Sequence, residues 1–348
     1  MKIGVILLNF GEPERTTPAE VIPFLERIFL TNASLEGDAS PEEARRRSRV
    51  LAEARAPGLI EEYGEIGGSP LNRQARGQAD ALAVELERRG YEVRTWVGFQ
   101  FTDPLIPDVV ARARETGVDA LVGLPVYPLC GPSTTIAALT ELRAAVERLG
   151  WDVPLHEISG WHRHPDYAAL RADGVRELCD RTGVDLSDPG TTLVFSAHGT
   201  PIKYLREGSR YDEYVRENCR DIAALLGVPG EDYALGYQNH TNRPVEWTEP
   251  DIEDVIDDVA AGRVVVVVPI SFMHEQSETL AELDDELREK AEARGLAFHR
   301  VPVPHDDPRF AALLADLVEP LLGADNPAGL RYGECRCRGT KGAVCLNV

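Results

Sequence analysis

Residues 191–211, TTLVFSAHGTPIKYLREGSRY, place His198 directly after an apolar run of strand character. A glycine and a proline follow at once, and then a polar, positively charged segment. An imidazole at the carboxyl end of a strand in an α/β sheet stands where such folds bind their ligands. In its neutral form it can take a proton or contact a metal ion near neutral pH. Further on, Glu275, Glu278, Glu282 and Asp285 recur at spacings of three and four, so on an α-helix they share one face. Such a row of carboxylates repels itself. Beside a cleft it suits the handling of a cation; a solvated acidic face is the competing reading. Two more histidines lie near: His274, one helical turn before Glu278, and His240, after the strand-like YALGYQN. The six cysteines form a third group: Cys130, Cys179, Cys219, Cys335, Cys337 and Cys345, three of them within the last 14 residues. In a reducing compartment such a cluster is more often metal-binding than disulfide-bonded. Four thiolates suit a [2Fe–2S] cluster or a zinc ion. Cys179 and Cys219 fall in amphipathic stretches and read as ordinary buried cysteines.

The elements that must position these groups alternate along the chain. IGVILLNF, EVRTWVGFQF, ALVGLPVYP, TLVFSAH, YALGYQNH and RVVVVVPISF are rich in Val, Leu, Ile and aromatics and read as strands. Between them run amphipathic segments such as RQARGQADALAVELERRG and DEYVRENCRDIAALLG, each ending in a glycine that stops a helix. Alternation of this kind predicts an α/β fold with parallel sheets and helices on both faces.

The two halves also echo each other. Phe10-Gly11-Glu12-Pro13 aligns with His198-Gly199-Thr200-Pro201, and Gly98-Phe99-Gln100-Phe101 with Gly236-Tyr237-Gln238-Asn239. PVYPLCGPSTTIAALTEL from Pro125 runs without a gap against PISFMHEQSETLAELDDEL from Pro269. The expectation is two related doubly wound, Rossmann-like domains over 1–150 and 151–330, followed by a cysteine-containing tail over 331–348. Ligands then bind beyond the carboxyl ends of the strands, where a cleft could hold a flat molecule. Where the first half has Phe10, Cys130 and Thr134, the second has His198, His274 and Glu278. The second half is therefore expected to carry the chemistry and the first to supply walls.

Bulk properties narrow the classes. At 348 residues the chain exceeds one usual domain. It is 43% hydrophobic and 27% charged, an ordinary globular composition. A net charge of −21 argues against nucleic acid or a strongly anionic membrane as the main partner. No apolar run of about 18 residues exists to span a membrane, and the first strand lacks the pattern of a signal peptide. A cytoplasmic protein is expected, and a peripheral membrane contact is compatible with this reading.

LLNFGEPE near the start, YGEIGGSPLN at 63–72, SAHGTP around His198 and ETLAELD at 278–284 occur in the order found in ferrochelatases. The chain resembles that family over nearly its whole length. The resemblance implies a lyase of haem biosynthesis that inserts Fe²⁺ into a porphyrin, protoporphyrin IX being favoured over coproporphyrin III. It implies His198 as the base or metal-contacting residue, with Glu278 and Glu282 handling the metal. Gln276 stands where the family carries a histidine, so His274 and His240 are the candidates to compensate, the alternative being that His198 alone suffices. Tyr63, Ile66, Ser69 and Pro70 resemble the family's porphyrin-contacting segment. Gln100 stands where many relatives carry an arginine or another polar residue, and Lys203, Arg206 and Arg210 are substitutes, by charge and position, for holding propionates. Trp247 is expected against the macrocycle edge, with a core tryptophan as the alternative. Some ferrochelatases hold a [2Fe–2S] cluster on three C-terminal cysteines and one internal cysteine. The matching set here is Cys335, Cys337 and Cys345 with Cys130, which precedes PSTT. The competing functions are a chelatase for another tetrapyrrole or metal, such as cobalt, and a non-catalytic porphyrin or haem carrier with a redox-sensing cluster.

Overall fold

A computed structural model describes residues 2–36, 39–228, 230, 232–240, 245–322, 329–335 and 342–347. One parallel sheet holds β1 (Lys2–Asn9), β2 (Glu92–Phe99), β3 (Ala120–Pro125) and β4 (Leu155–Glu157), in the order β2-β1-β3-β4. The other holds β5 (Thr191–His198), β6 (Ala234–Gln238), β7 (Val264–Pro269) and β8 (Ala297–Arg300), in the order β6-β5-β7-β8. The central strands are apolar almost throughout and buried on both faces, as strands covered by helices on either side must be. Edge strand β2 (EVRTWVGF) exposes its polar residues. The expected α/β class is what the chain adopts, with helices flanking each sheet. Gly90 and Gly227 end the helices Leu71–Arg88 and Tyr211–Leu225 at φ of 95° and 74°, the left-handed conformation a side chain disfavours.

The repeat is exact at the level of register. Leu8 pairs with Gly98 on one side and Pro125 on the other. Ser196, its counterpart, pairs with Gly236 and Pro269. Beyond the ladder, Phe99 N donates to Pro104 O and Tyr237 N to Pro250 O, each at 3.0 Å. In this strand order the direction of winding reverses between β1 and β3, and again between β5 and β7. The carboxyl ends of those pairs are where an open α/β sheet binds ligands.

The domain limits differ from the expected 1–150 and 151–330. One compact unit is Met1–Trp161 together with His305–Val348, and the other is His162–Pro304. The chain returns to the first unit through the helix Pro308–Val318. Arg89 fixes that return, pairing with Glu85 (2.7 Å), Asp316 (2.6 Å) and Glu319 (2.5 Å) and donating to Ala312 O (3.1 Å). The tail is likewise part of the first unit. Ser159 N donates to Val344 O at 2.8 Å, and Leu346 N to Gly160 O at 2.8 Å. Arg89→Ala would leave Asp316 and Glu319 without their cation at a site 15% exposed, while Glu85 keeps Arg88, so a loss of about 2–3 kcal/mol is expected in urea unfolding. The Arg88 guanidinium, with Arg89, holds the Glu85 carboxyl down at about 2, against an ordinary 4.5, in opposition to burial. A depressed carboxylate contributes stability above its unfolded value and loses it as pH falls through its folded one. The urea midpoint of the wild type is therefore expected to drop as pH falls from 4.5 toward 2, and Arg89→Ala should blunt that dependence.

Candidate active site

His198 is the last residue of β5, and its backbone is fixed from two sides. His198 N donates to Ser271 Oγ at 3.0 Å, and Tyr211 OH donates to His198 O at 3.0 Å. The Tyr211 and Ser271 hydroxyls bond each other at 3.0 Å. Burial pushes the Tyr211 phenol far up, so it stays a donor across the working pH range. The imidazole is oriented as well. Nδ1 lies 2.6 Å from Gly199 O, and a carbonyl can only accept, so Nδ1 carries a proton and, in the neutral imidazole, Nε2 holds the lone pair. The contact fixes the tautomer that the neutral imidazole adopts. The His240 ring meets His198 edge-on at 5.2 Å, and Trp247 meets His240 at 5.5 Å. Trp247 Nε1 is buried with no hydrogen-bond partner among the described residues.

Gly199 is required by close approach. A Cβ there would overlap Asn239 Oδ1 and stand 2.9 Å from Gln238 O, which is backbone and cannot swing away. Asn239 itself is tied to Thr248 O (2.9 Å) and Asp251 (3.1 Å). Gly199→Ala is expected to shift the His198 loop and lower kcat about a hundredfold, the scale of a 1 Å misplacement. Thermal unfolding read beside activity separates this from global destabilisation, and full activity would show that the loop tolerates the side chain.

The carboxylates are organised differently from the expected single stripe. The segment after β7 forms one α-turn at Ser277–Thr279, then a π-helix over Leu280–Leu287, then an α-helix over Arg288–Ala293. The wider π winding rotates Asp285 away from an α-register with Glu278, and Asp285 is exposed. Glu275 lies before the helix and turns to Arg300 (2.9 Å) and Val303 N (3.1 Å). It is a structural anchor and not part of the row. Glu278 and Glu282 are held individually. Gln276 Nε2 donates to Glu278 Oε2 at 2.7 Å. Gln238, opposite His198 in the β5–β6 register, donates from Nε2 to Glu282 Oε2 and to Glu278 O, each at 2.8 Å. Ser196 Oγ donates to Gln238 Oε1 at 2.8 Å and so fixes which way that amide points. Gln238 thus brings Glu282 to the sheet edge where His198 stands. His274 is buried two residues before Gln276.

The sequence reading missed Tyr211, Ser271 and Gln238 as supports. Gln238 was visible in the repeat, where it answers Gln100. Tyr211 and Ser271 gave no signal, because their roles depend on contacts far apart in sequence.

In the first unit, several expected porphyrin contacts serve the scaffold. Tyr63 is 1% exposed, and its hydroxyl donates to Glu12 Oε1 at 2.9 Å. It belongs to a buried cluster with Phe24, Leu59 and Phe101, which gives it a task in the core. Ser69 Oγ also donates to the buried Glu12, and Ile66 packs partly against the same cluster. Pro70, part-exposed, caps the helix Leu71–Arg88. Gln100 is buried as a brace, accepting from Tyr127 OH (3.0 Å) and donating to Ser133 O (3.2 Å). This arrangement gives it a bracing role. Lys203 and Arg206 are exposed on the short helix Ile202–Arg206 after the His198 loop, with Arg206 paired to Glu246 at 2.8 Å. Arg210 pairs with Glu213 at 2.8 Å and lies over the Tyr214 ring.

The ferrochelatase family model matches residues 2–321. The chain belongs to the ferrochelatase family. A ferrochelatase of Synechococcus sp. (strain JA-3-3Ab) is 37% identical over 336 residues, spanning 94% of this chain and 96% of that protein. One from Picosynechococcus sp. (strain ATCC 27264 / PCC 7002 / PR-6) is 36% identical over 329 residues, spanning 91% and 82%. Among solved structures, SirB from Bacillus subtilis with Fe³⁺ aligns with a TM-score of 0.53 at 12% identity, over 91% of this chain and 95% of that one, a likeness of fold. The protein is a metal chelatase, a lyase of haem biosynthesis.

Gln276 stands where the resemblance led to the expectation of a histidine. Its amide donates to Glu278 and so holds that carboxylate in place. The distinctive feature of the tail is its thiols. β9 (Gly333–Glu334) and β10 (Val344–Cys345) form an antiparallel hairpin. Hydrogen bonding with the Cys335 thiol, then burial, push the Cys345 thiol far up. Asn347 N donates to Cys345 Sγ at 3.2 Å. Cys130 is buried in the same unit, against Gly160. Cys337 lies outside the described residues. Cys219 is buried in the helix Tyr211–Leu225, and Cys179 is partly buried in the helix Pro165–Thr182.

Proposed function

We propose that the chain inserts Fe²⁺ into a porphyrin, protoporphyrin IX in preference to coproporphyrin III, at the carboxyl edge of the second sheet. The observation that carries this reading is the His198 tautomer. With Nδ1 committed to Gly199 O, Nε2 is the lone-pair nitrogen available to a pyrrole N–H. The reaction breaks two pyrrole N–H bonds and forms four Fe–N bonds, two to the deprotonated nitrogens and two to the nitrogens that already held lone pairs, and it releases two protons. His198 Nε2 takes one, and His240, whose ring meets His198, is the group placed to take the second. Glu278 and Glu282, held by Gln276 and Gln238, supply carboxylate oxygens for a cation that must shed water before it enters the macrocycle. Lys203 and Arg206 are the exposed cations for propionates, and Trp247 is the aromatic edge beside the histidines. The test is kcat/KM measured anaerobically with each porphyrin. A preference of at least about tenfold for protoporphyrin IX, about 1.4 kcal/mol, is expected. Equal values, or a preference for coproporphyrin III, overturn the substrate reading.

We also propose that Cys130, Cys335, Cys337 and Cys345 hold a [2Fe–2S] cluster. Three of these thiols lie in one unit, the free thiols of Cys335 and Cys345 are close enough to perturb each other, and a backbone N–H already points at Cys345 sulfur. Among the described residues these three do not form a group with all sulfur atoms within 4.8 Å. One tetrahedral zinc holds its thiolates about 3.8 Å apart, whereas two irons hold them as two separated pairs. When bound, the cluster supplies one-electron chemistry, which insertion of Fe²⁺ does not use. Its role is then structural or sensory. Iron and acid-labile sulfide in equal amounts are expected on analysis; zinc without sulfide overturns this assignment.

A further inference from the structure

The side chain of Asn347 has no function in the site described so far, yet it is 0% exposed. Neither of its amide atoms, Nδ2 or Oδ1, makes a hydrogen bond among the described residues. A buried amide left unpaired is costly, and a native fold retains one where a group outside the polypeptide completes it. The surroundings show which group. A Cβ added to Gly160 would overlap Asn347 Nδ2 and lie 3.3 Å from Cys130 Cβ. The Asn347 amide and the Cys130 side chain therefore share the space that the absent Gly160 side chain leaves open. At its other end, Asn347 donates its backbone N–H to Cys345 Sγ at 3.2 Å. The residue is held between two of the cysteines assigned to the cluster, and its amide has donor capacity to spare. Its neighbour Leu346 is tied by N–H to Gly160 O at 2.8 Å, so the amide is positioned by the backbone on both sides.

We propose that Asn347 donates a side-chain hydrogen bond from Nδ2 to a sulfur of the [2Fe–2S] cluster and so raises its reduction potential. The inference rests on the cluster reading above. Hydrogen bonds to sulfur withdraw electron density from the irons and favour the reduced, more negative state. The backbone N–H to Cys345 acts in the same sense and is retained in any side-chain variant. Asn347 is on this view a tuning residue that takes no part in porphyrin metallation.

The experiment uses the full chain, reconstituted anaerobically with iron and sulfide. The midpoint potential is followed by electron paramagnetic resonance during a mediated titration of wild type and Asn347→Leu, which keeps bulk and removes the donor. The expected result is a cluster about tenfold harder to reduce in the variant, about 59 mV lower for one electron. An unchanged potential in a loaded variant overturns the proposal. If the variant does not retain the cluster, pulsed resonance on reduced wild type labelled with side-chain ¹⁵N asparagine decides: a ¹⁵N coupling to the cluster supports the bond, and its absence overturns it. Wild type that takes up no iron and sulfide overturns the cluster reading first, and this proposal with it. Iron insertion itself should be the same in wild type and Asn347→Leu.

Discussion

Replacing His198 by alanine lowers kcat for iron insertion at least about a thousandfold while porphyrin binding survives. The magnitude is that of a positioned general base removed from the reacting proton. Binding and folding should be spared because what locks this loop is backbone. Ser271 accepts His198 N–H, Tyr211 OH donates to His198 O, and Gly199 packs on Asn239 and Gln238. None of these contacts uses the imidazole, whose one internal bond is to Gly199 O. Porphyrin affinity from fluorescence quenching, read beside initial rates, separates the two effects. A variant that turns over normally would remove His198 from the reaction, and loss of binding with loss of rate would make it a binding residue.

Glu278→Gln should lower kcat/KM for Fe²⁺ about a hundredfold, or about 2.7 kcal/mol of metal stabilisation. The substitution is nearly isosteric. Gln276 Nε2 can still donate to the carbonyl oxygen of the new amide, so the helix start keeps its geometry. What is lost is the negative charge that draws the cation and exchanges with its water. The defect should therefore appear in the iron dependence and leave the porphyrin dependence unchanged. Varying Fe²⁺ at saturating porphyrin tests this, and an unchanged iron curve would take Glu278 off the metal path. Glu282, held by Gln238, is then the carboxylate left to act.

The strands and the repeat were legible because they rest on local apolar runs. β1, β3, β5 and β7 announce themselves in composition, and the aligned motifs fall into identical register. His198 at the end of β5 follows from the same pattern. What did not show depends on distant partners. The return of the chain to the first unit after Pro304 is fixed by Arg89 reaching Asp316 and Glu319, and no periodicity carries that information. The π winding over Leu280–Leu287 has an apolar pattern too short to tell from an α-helix, so Asp285 was assigned to the wrong face. Glu275 left the row because Arg300, 25 residues away, claims it. Tyr63 was read from a motif, and burial against Glu12 gives it a structural task.

The most direct measurement is a single turnover. The purified chain, loaded with porphyrin and kept anaerobic, is mixed with Fe²⁺ while the absorbance bands of free and metallated porphyrin are followed, with His198→Ala in parallel. Conversion of bound porphyrin to the iron complex by wild type, and its near-absence in the variant, is the predicted result. Tight porphyrin binding with no metallation by wild type would contradict the account and identify the protein as a carrier.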